Sequence, residues 1–426
     1  MGMVDHFPKM FELRQHYPVS PSLEFSSLLR EQFIAAEVIA KIQPGMKVAV
    51  GVGSRGITNL PEIVKTTLGI LIEFGAEPFI IPAMGSHGGA TPEGQEKVLA
   101  GYGITRQSMA VPIDSSMDVQ QIGTTSDGSN VVLSTAALQA DAIIVIGRIK
   151  PHTDFKGDLG SGIQKMLTVG LGKKTGAANA HRAFSRHGYI PTIRKFSELI
   201  LAKAPVLCGV GIIEDQHHQT ADLRVIKATD ILSQESSLLL KARSLMASIP
   251  FDEIDLLIVD QIGKEISGCG MDTNVIGRNV LGYSASLEPD DTIKPHILRI
   301  FVRDLSPATK GNGIGIGLAD FTTSRVVRTL DLQSTYVNAI SALDILLAKI
   351  PMYFDTDREA LEVALDSLVP SSVEKLRVVR IADTLNLDRM LISEALISKV
   401  RVCPELALDE DFRQIEFDAS GNLKPF

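Results

Sequence analysis

The first 215 residues alternate between short apolar runs and longer stretches in which apolar residues recur at helical spacing. The apolar runs predict buried β-strands, and the amphipathic stretches predict helices. The predicted strands cover residues 46–53, 77–83, 141–149 and 205–215, and the predicted helices cover 25–42, 59–75, 91–103 and 175–203. This alternation is typical of an α/β fold with a mainly parallel sheet covered by helices.

A second series of elements begins near residue 250. The chain has 426 residues, whereas a single core stops growing at roughly 250 to 300 residues. We therefore expect two α/β domains, residues 1–250 and 251–426, with the active site in the crevice between them. About the last 30 residues are expected to pack back on the first domain. The predicted strands of the second domain cover 251–263 and 296–306, and its predicted helices cover 331–349, 356–367 and 384–398.

Composition narrows the class of protein. Apolar residues make up 45% of the chain and charged residues 22%, as in ordinary soluble globular enzymes. The net charge of −8 argues against nucleic acid or an anionic membrane as a partner. Cys208, Cys269 and Cys403 are isolated in the sequence, which favours a reducing compartment. Because no apolar stretch approaches the roughly 20 residues that span a bilayer, we expect a cytoplasmic protein.

The polar residues that are hardest to assign to a core follow directly after apolar runs. In a parallel sheet the carboxyl ends of the strands share one edge, so these side chains can converge on one crevice. The residues are Arg55, His87, His152, Glu214 with Asp215, and Lys264 with Glu265.

The segment from Lys150 to His181 is the most concentrated source of candidate chemistry. His152 begins it, and together with His87 in the motif GSHGG it offers two imidazoles suited to general acid and base catalysis. Lys165 follows the glycine-rich GDLGSG, and it is suited to holding a phosphate or forming a covalent link, unless it is simply solvated. His181 can bind a metal through its imidazole. Since no metal-only ligand motif is present, such a metal would need further ligands from a cofactor.

Five motifs in this order resemble the nickel-dependent lactate racemase family. They are GSRG with Arg55, GSHGG with His87, PHTDFKG after a strand, SGIQK with Lys165, and then His181. The resemblance covers about residues 45–185 by motif, and the two-domain layout extends it along the chain.

The resemblance implies an isomerase that interconverts the stereoisomers of a 2-hydroxy acid by moving a hydride to a nickel pincer nucleotide and back. It implies that His87 and His152 are the acid/base pair, that Lys165 anchors the cofactor covalently and that His181 binds nickel. Arg55 would orient the substrate and contact the cofactor. Gly160, Ser161 and Gly162 would also contact the cofactor within this N-terminal catalytic domain. Enzymes that synthesise the cofactor would be needed as partners.

Several alternatives remain open at this stage. Lys156 is a rival to Lys165 as the anchor. In the second domain Lys264 is a candidate for holding the substrate carboxylate, together with a polar loop that contains Asp272, Asn274 and Arg278. Instead of a racemase, the same loop could serve a non-catalytic protein that binds a nucleotide-like or anionic ligand, or a sugar-phosphate lyase or isomerase. The sequence leaves the identity of the 2-hydroxy acid and the oligomeric state undetermined.

Overall fold

The computed structural model describes residues 7–54, 56–153, 155, 157–278, 294–342, 344–368 and 372–425. The chain forms two compact units. The N-terminal unit consists of Val19–Met246, and the C-terminal unit combines Met1–Pro18 with Ala247–Phe426. The first 18 residues therefore do not belong to the domain predicted for residues 1–250. The reason is that strand β1 (Met10–Gln15) pairs antiparallel with two strands from the end of the chain.

The elements of the N-terminal unit follow the predicted alternation closely. Its strands are β2 (Lys47–Val52), β3 (Glu77–Pro82), β4 (Val119–Thr124), β5 (Asn130–Ser134), β6 (Ala142–Arg148), β7 (Val206–Glu214) and β8 (Thr220–Lys227). Its helices are α1 (Phe25–Ala35), α2 (Leu60–Glu73), α3 (Pro92–Gly101), α4 (Arg106–Met109), α5 (Thr135–Leu138), α6 (Ile163–Lys165), α7 (Lys173–His187), α8 (Tyr189–Lys203) and α9 (Ile231–Ser244), with a π-helix at Met166–Gly170.

The main sheet of this unit has the strand order β3-β2-β6-β7-β8. All neighbouring pairs are parallel except β7 with β8. From β2 the chain first adds β3 on one side and later adds β6 on the other, so the strand order reverses between β2 and β6. In open α/β sheets ligands bind outside the carboxyl ends of the strands at such a reversal. The loops that follow β2, β3 and β6 are therefore the place to look for a site.

The C-terminal unit contains an eight-stranded sheet in the order β12-β11-β10-β9-β13-β14-β1-β15. The five strands from β12 to β13 are parallel, and the remaining pairs are antiparallel. The strands are β9 (Glu253–Ile262), β10 (His296–Leu305), β11 (Phe321–Thr323), β12 (Met352–Phe354), β13 (Val378–Ile381), β14 (Arg389–Ser393) and β15 (Leu406–Arg413). The helices are α10 (Thr273–Ile276), α11 (Ser324–Thr329), α12 (Leu332–Ser341), α13 (Asp357–Asp366) and α14 (Ile397–Val400).

The architecture confirms the predicted α/β class, with mainly parallel sheets flanked by helices. The predicted helix over 384–398 is wrong, because the middle of this range is strand β14, which pairs with β13 and β1. The chain end was expected on the first domain, but β15 pairs with β1 inside the C-terminal unit. Among the described residues, no helix combines the length and apolar character needed to cross a membrane.

A bidentate ion pair lies in the interior of the C-terminal unit. Arg380 on β13 donates from Nε and Nη2 to the two carboxylate oxygens of Asp260 on β9, at 2.9 and 2.8 Å. Both residues are more than nine-tenths buried. Burial of two charges is tolerated here because each satisfies the other in the favourable fork geometry.

Candidate functional site

The loop after β3 presents His87 at the carboxyl edge of the sheet. Gly88 has a φ of 64°, and a Cβ there would lie 2.6 Å from the carbonyl carbon of Gly94, so only glycine fits. The Nδ1 atom of His87 lies 2.5 Å from the Oγ atom of Ser54, which follows β2. Tyr102 in turn donates its hydroxyl to the Ser54 carbonyl at 2.7 Å. The contact with Ser54 orients the exposed imidazole through its Nδ1 atom.

The loop after β6 brings His152 against Lys165. The Nε2 atom of His152 lies 2.6 Å from the Lys165 Nζ atom. The imidazole also packs against two aromatic rings, with centroid distances of 4.7 Å to Phe155 and 5.4 Å to Tyr189. The Tyr189 hydroxyl donates to the Gly160 carbonyl at 2.7 Å and so ties this ring to the glycine-rich loop. A candidate base and a candidate nucleophilic amine are thus in direct contact.

Lys165 lies at the junction of α6 with the π-helix at Met166–Gly170. Single-turn π-helices are rare and occur frequently at functional sites. Met166 packs on the end of β6 so closely that a Cβ on Gly147 would lie 2.8 Å from its Cγ atom. The backbone that carries Lys165 is therefore held against the carboxyl ends of the strands, which is where the sequence predicted it.

A buried carboxylate from α9 caps the short helix that carries Lys165. The Oε2 atom of Glu235 accepts the backbone N–H of Gln164 at 3.0 Å, and the backbone of Ile163 also hydrogen-bonds to this carboxylate. A Cβ on Gly162 would lie 1.8 Å from the Glu235 Oε1 atom, which explains the glycine. Burial raises the pKa of Glu235 to about 7, and the backbone hydrogen bonds offset part of that rise.

His181 lies on α7 and shares an aromatic cluster with His152. Its ring meets Phe184 edge-on at a centroid distance of 5.3 Å. Phe184 also contacts Tyr189 at 4.9 Å and Phe155 at 5.6 Å. Because His152 packs on the same two rings, the cluster connects both histidines within one unit. The His87 loop adjoins the same region through a hydrogen bond from the Gly85 amide to the Gly170 carbonyl at 3.1 Å.

Other residues predicted for the site have structural contacts of their own. Gly160, like Gly162, lies too close to another residue for a side chain to fit, since its Cβ would be 2.4 Å from the Lys150 carbonyl oxygen. Ser161 forms a backbone bridge with Lys150 at 2.8 and 2.9 Å. Glu214 pairs with Arg148 across the ends of β7 and β6. Contact of these residues with a cofactor stays a prediction, and Arg55 and Lys156 lie outside the described residues.

The candidates from the second half lie at the end of a different sheet. Lys264 follows β9 in the C-terminal unit and donates to the Asn338 side chain. In the same unit Glu265 accepts from Ser306. Arg278 pairs with Asp320 at 2.5 Å and donates to the Leu318 carbonyl at 2.7 Å, so its guanidinium has a structural role. The single edge expected for all strand-end residues is therefore wrong, because β9 and β6 belong to separate sheets. The role of Lys264 toward substrate stays a prediction.

His181 is the candidate metal ligand in this region. Within the part of the chain that the structure describes, no three His, Cys, Asp or Glu side chains are grouped so that they could hold a metal ion. His181 provides one imidazole, and imidazole nitrogen is a good ligand for nickel.

Sequence reasoning missed Ser54, Glu235 and Tyr189. Glu235 had a visible signal, because it occupies a buried position with Ile231 and Leu239, at the i, i+4 and i+8 spacing of the apolar face of α9. A glutamate at such a position must find an internal partner. Ser54 adjoins Arg55 in GSRG, but only the approach of β3 to β2 reveals its contact with His87.

Comparisons with known proteins agree with the resemblance seen in the sequence. Residues 26–189 match the family described as "Lactate racemase N-terminal domain". The fold is similar to the structure of the lactate racemase apoprotein from Thermoanaerobacterium thermosaccharolyticum, with a TM-score of 0.51 and 14% identity over 89% of this chain and 99% of that chain. A crystal structure of a protein from Thermotoga maritima is also similar, with a TM-score of 0.49 and 14% identity over 80% of this chain and 89% of that one. None of the curated proteins matches.

Proposed function

From the match of residues 26–189 to the lactate racemase N-terminal domain family, we propose that this chain is a racemase or epimerase of a 2-hydroxy acid that uses a nickel pincer nucleotide. The observation that carries the proposal is the 2.6 Å contact between the Lys165 amine and His152 in the loop after β6. It joins the candidate anchor of the cofactor to a candidate acid/base residue at the predicted end of the sheet.

The described residues fit such a cofactor. Lys165 offers a primary amine for the covalent bond, on a helix whose position Glu235 sets. His181 offers one imidazole ligand for nickel, with its ring orientation supported by Phe184. When bound, the nickel pincer nucleotide supplies an acceptor for the hydride of the carbon that carries the hydroxyl group, and a donor that returns the hydride to either face of the resulting 2-keto acid.

The two histidines would handle the hydroxyl proton. Ser54 contacts the Nδ1 atom of His87, and in this proposal the Nε2 atom of His87 exchanges the proton with substrate. An ammonium group can only donate hydrogen bonds, so in the 2.6 Å contact a protonated Lys165 donates to the Nε2 atom of His152. Once the amine is consumed in a covalent bond, that cation no longer competes for His152 Nε2. Each imidazole can then serve as base for one enantiomer and as acid for the other.

The test is to express the chain with the enzymes that build the cofactor. We expect an increase in intact mass that maps to Lys165 rather than Lys156. We also expect about one nickel per chain, bound with His181 as its protein ligand, and racemisation of at least one 2-hydroxy acid. Lys165→Ala should abolish the added mass, whereas Lys174→Ala, an exposed lysine on α7, should keep it.

The histidine roles are tested in the loaded protein. His87→Ala and His152→Ala should keep the added mass and lose racemisation by a factor of about 100 or more, the usual size of general acid–base catalysis. His187→Ala, at an exposed position at the end of α7, is the matched control. An unmodified mass without nickel, in a host that loads a known racemase, would refute the cofactor and favour an anion-binding protein or a sugar-phosphate enzyme.

A further inference from the structure

Lys173 is fully buried, which is unusual for a lysine, and begins α7 directly after the π-helix segment and Leu171–Gly172. Its φ of 53° lies in the left-handed region, where a residue with a Cβ is strained. A buried amine in a strained backbone conformation persists only when the surrounding structure satisfies it. The contacts of its amine therefore show which part of the structure this buried lysine stabilises.

The Lys173 amine points at the loop that carries His87. Its Nζ atom donates to the carbonyl of Pro82, the last residue of β3, at 2.9 Å, and approaches the Gln95 Oε1 atom at 3.5 Å. Gln95 on α3 is also fully buried. Its Nε2 atom donates to the Gly85 carbonyl at 3.0 Å and to the His87 carbonyl at 3.3 Å. Lys173 thus donates to the end of β3, and Gln95 donates to two carbonyls of the loop that follows it.

Regular structure stabilises little of this loop, in which Gly88–Ala90 form one short 3₁₀ turn. Gly85, Gly88 and Gly89 all have left-handed φ angles, of 58°, 64° and 67°. The Ala90 N–H donates to the His87 carbonyl at 3.1 Å within this turn, and Gln95 adds a side-chain donor to the Gly85 and His87 carbonyls. The His87 ring is held separately, through the contact of its Nδ1 atom with Ser54. Gln95 holds the backbone of the same residue through its carbonyl.

We propose that Lys173 and Gln95 are positioning residues for His87, forming a buried bridge that holds the backbone of its loop and thereby sets where the imidazole meets substrate. Lys173 acts through Gln95 and does not touch the reacting atoms. The bridge also joins the backbone just beyond the Lys165 helix to the His87 loop. It therefore helps to fix the position of Lys165, the candidate anchor, relative to His87, the candidate base. The part that concerns catalysis rests on the proposed function; the positioning of the ring does not.

The experiment compares Gln95→Glu and Lys173→Met with the wild-type chain, without cofactor and with it. Gln95→Glu keeps an acceptor for Lys173 and removes the donor to the Gly85 and His87 carbonyls, so it isolates the step nearest to His87. Leu68→Ala, a cavity in the core around α2 of the same unit, is the control for general loss of stability. Exposed His296 in the other unit is the internal reference.

The first measurement is ring carbon–proton NMR of histidine-labelled protein without cofactor, with the His87 signal assigned from His87→Gln. We expect the His87 signal to shift or split in Gln95→Glu and Lys173→Met, and to be unchanged in Leu68→Ala. A wild-type His87 signal in a folded Gln95→Glu protein would overturn the proposal, whether or not the chain racemises anything.

The second measurement applies if the loaded wild-type chain is active. Gln95→Glu should then lower kcat about tenfold or more with a much smaller change in KM, since small misplacements of a catalytic group are costly. A kcat equal to that of the wild type would overturn the catalytic part. Inactivity of the wild type would instead count against the proposed function and would leave the NMR result to decide the bridge.

Discussion

The buried carboxyl group of Glu235 should make the N-terminal unit less stable as the pH rises. Burial raises its pKa from 4.5 to about 7 in the folded chain. Between these values the unfolded chain releases the proton while the folded chain keeps it, so the free energy of unfolding falls with increasing pH. The full loss is about 3 kcal/mol and is complete slightly above pH 7.

Glu235→Gln tests this magnitude because glutamine cannot titrate there but can still accept the Gln164 N–H. We expect the free energy of unfolding of the wild type, minus that of the variant, to fall by about 3 kcal/mol between pH 4.5 and 8. Any fixed cost of the amide group is the same at both pH values and cancels. Glu31→Gln, at an exposed position on α1, controls for the loss of one negative charge.

The assay is urea unfolding followed by pulsed hydrogen exchange and mass spectrometry of a peptide that covers β6. That peptide reports unfolding of the N-terminal unit alone, which matters because two units need not unfold together. A difference between wild type and variant that changes by less than about 0.5 kcal/mol over this range would refute the reasoning, since the carboxyl group would then titrate as it does in water.

Two further changes test contacts in the two units. Asp260→Ala leaves the Arg380 guanidinium buried without its main partner. It should lower the free energy of unfolding by about 3 to 5 kcal/mol, measured on a β10 peptide. A loss below about 1 kcal/mol would show that the pair is not buried as described. Tyr189→Phe keeps the ring that stacks on Phe155 and removes the hydrogen bond to Gly160, for an expected loss of about 1 to 2 kcal/mol on the β6 peptide. An unchanged stability would mean that water replaces that hydroxyl.

The N-terminal unit was predictable from the sequence because its strands are buried on both faces. An apolar run such as AIIVIG in β6 predicts a buried strand whatever its tertiary surroundings, and the helices around it begin and end at strong local signals. The same periodicity failed over residues 384–398. There an apolar stretch that suits a helix is taken up by β14, because two partner strands from distant parts of the chain complete the sheet.

The residue types of the candidate site followed from the sequence, because loops after parallel strands share one edge. His152 and Lys165 were both predicted as site residues in the segment after β6, and their side chains are in contact. The contacts that support them could not be foreseen, although the position of Glu235 on the apolar face of α9 was a visible signal. Glu235 lies 70 residues beyond Lys165 along the chain, and its effect on Lys165 exists only where α9 packs on α6.

Some features of this protein are therefore determined by local sequence patterns, and others only by the tertiary structure. Local patterns determine the strands, the helices and the chemistry at the strand ends, because hydrophobic periodicity and backbone preferences act over a few residues. The tertiary structure decides that the chain's first strand joins the C-terminal sheet. It also decides that Ser54 orients His87 and that buried Lys173 reaches the His87 loop through Gln95. Hydrogen bonds between distant segments have no local sequence signal, since only the folded chain brings their donors and acceptors together.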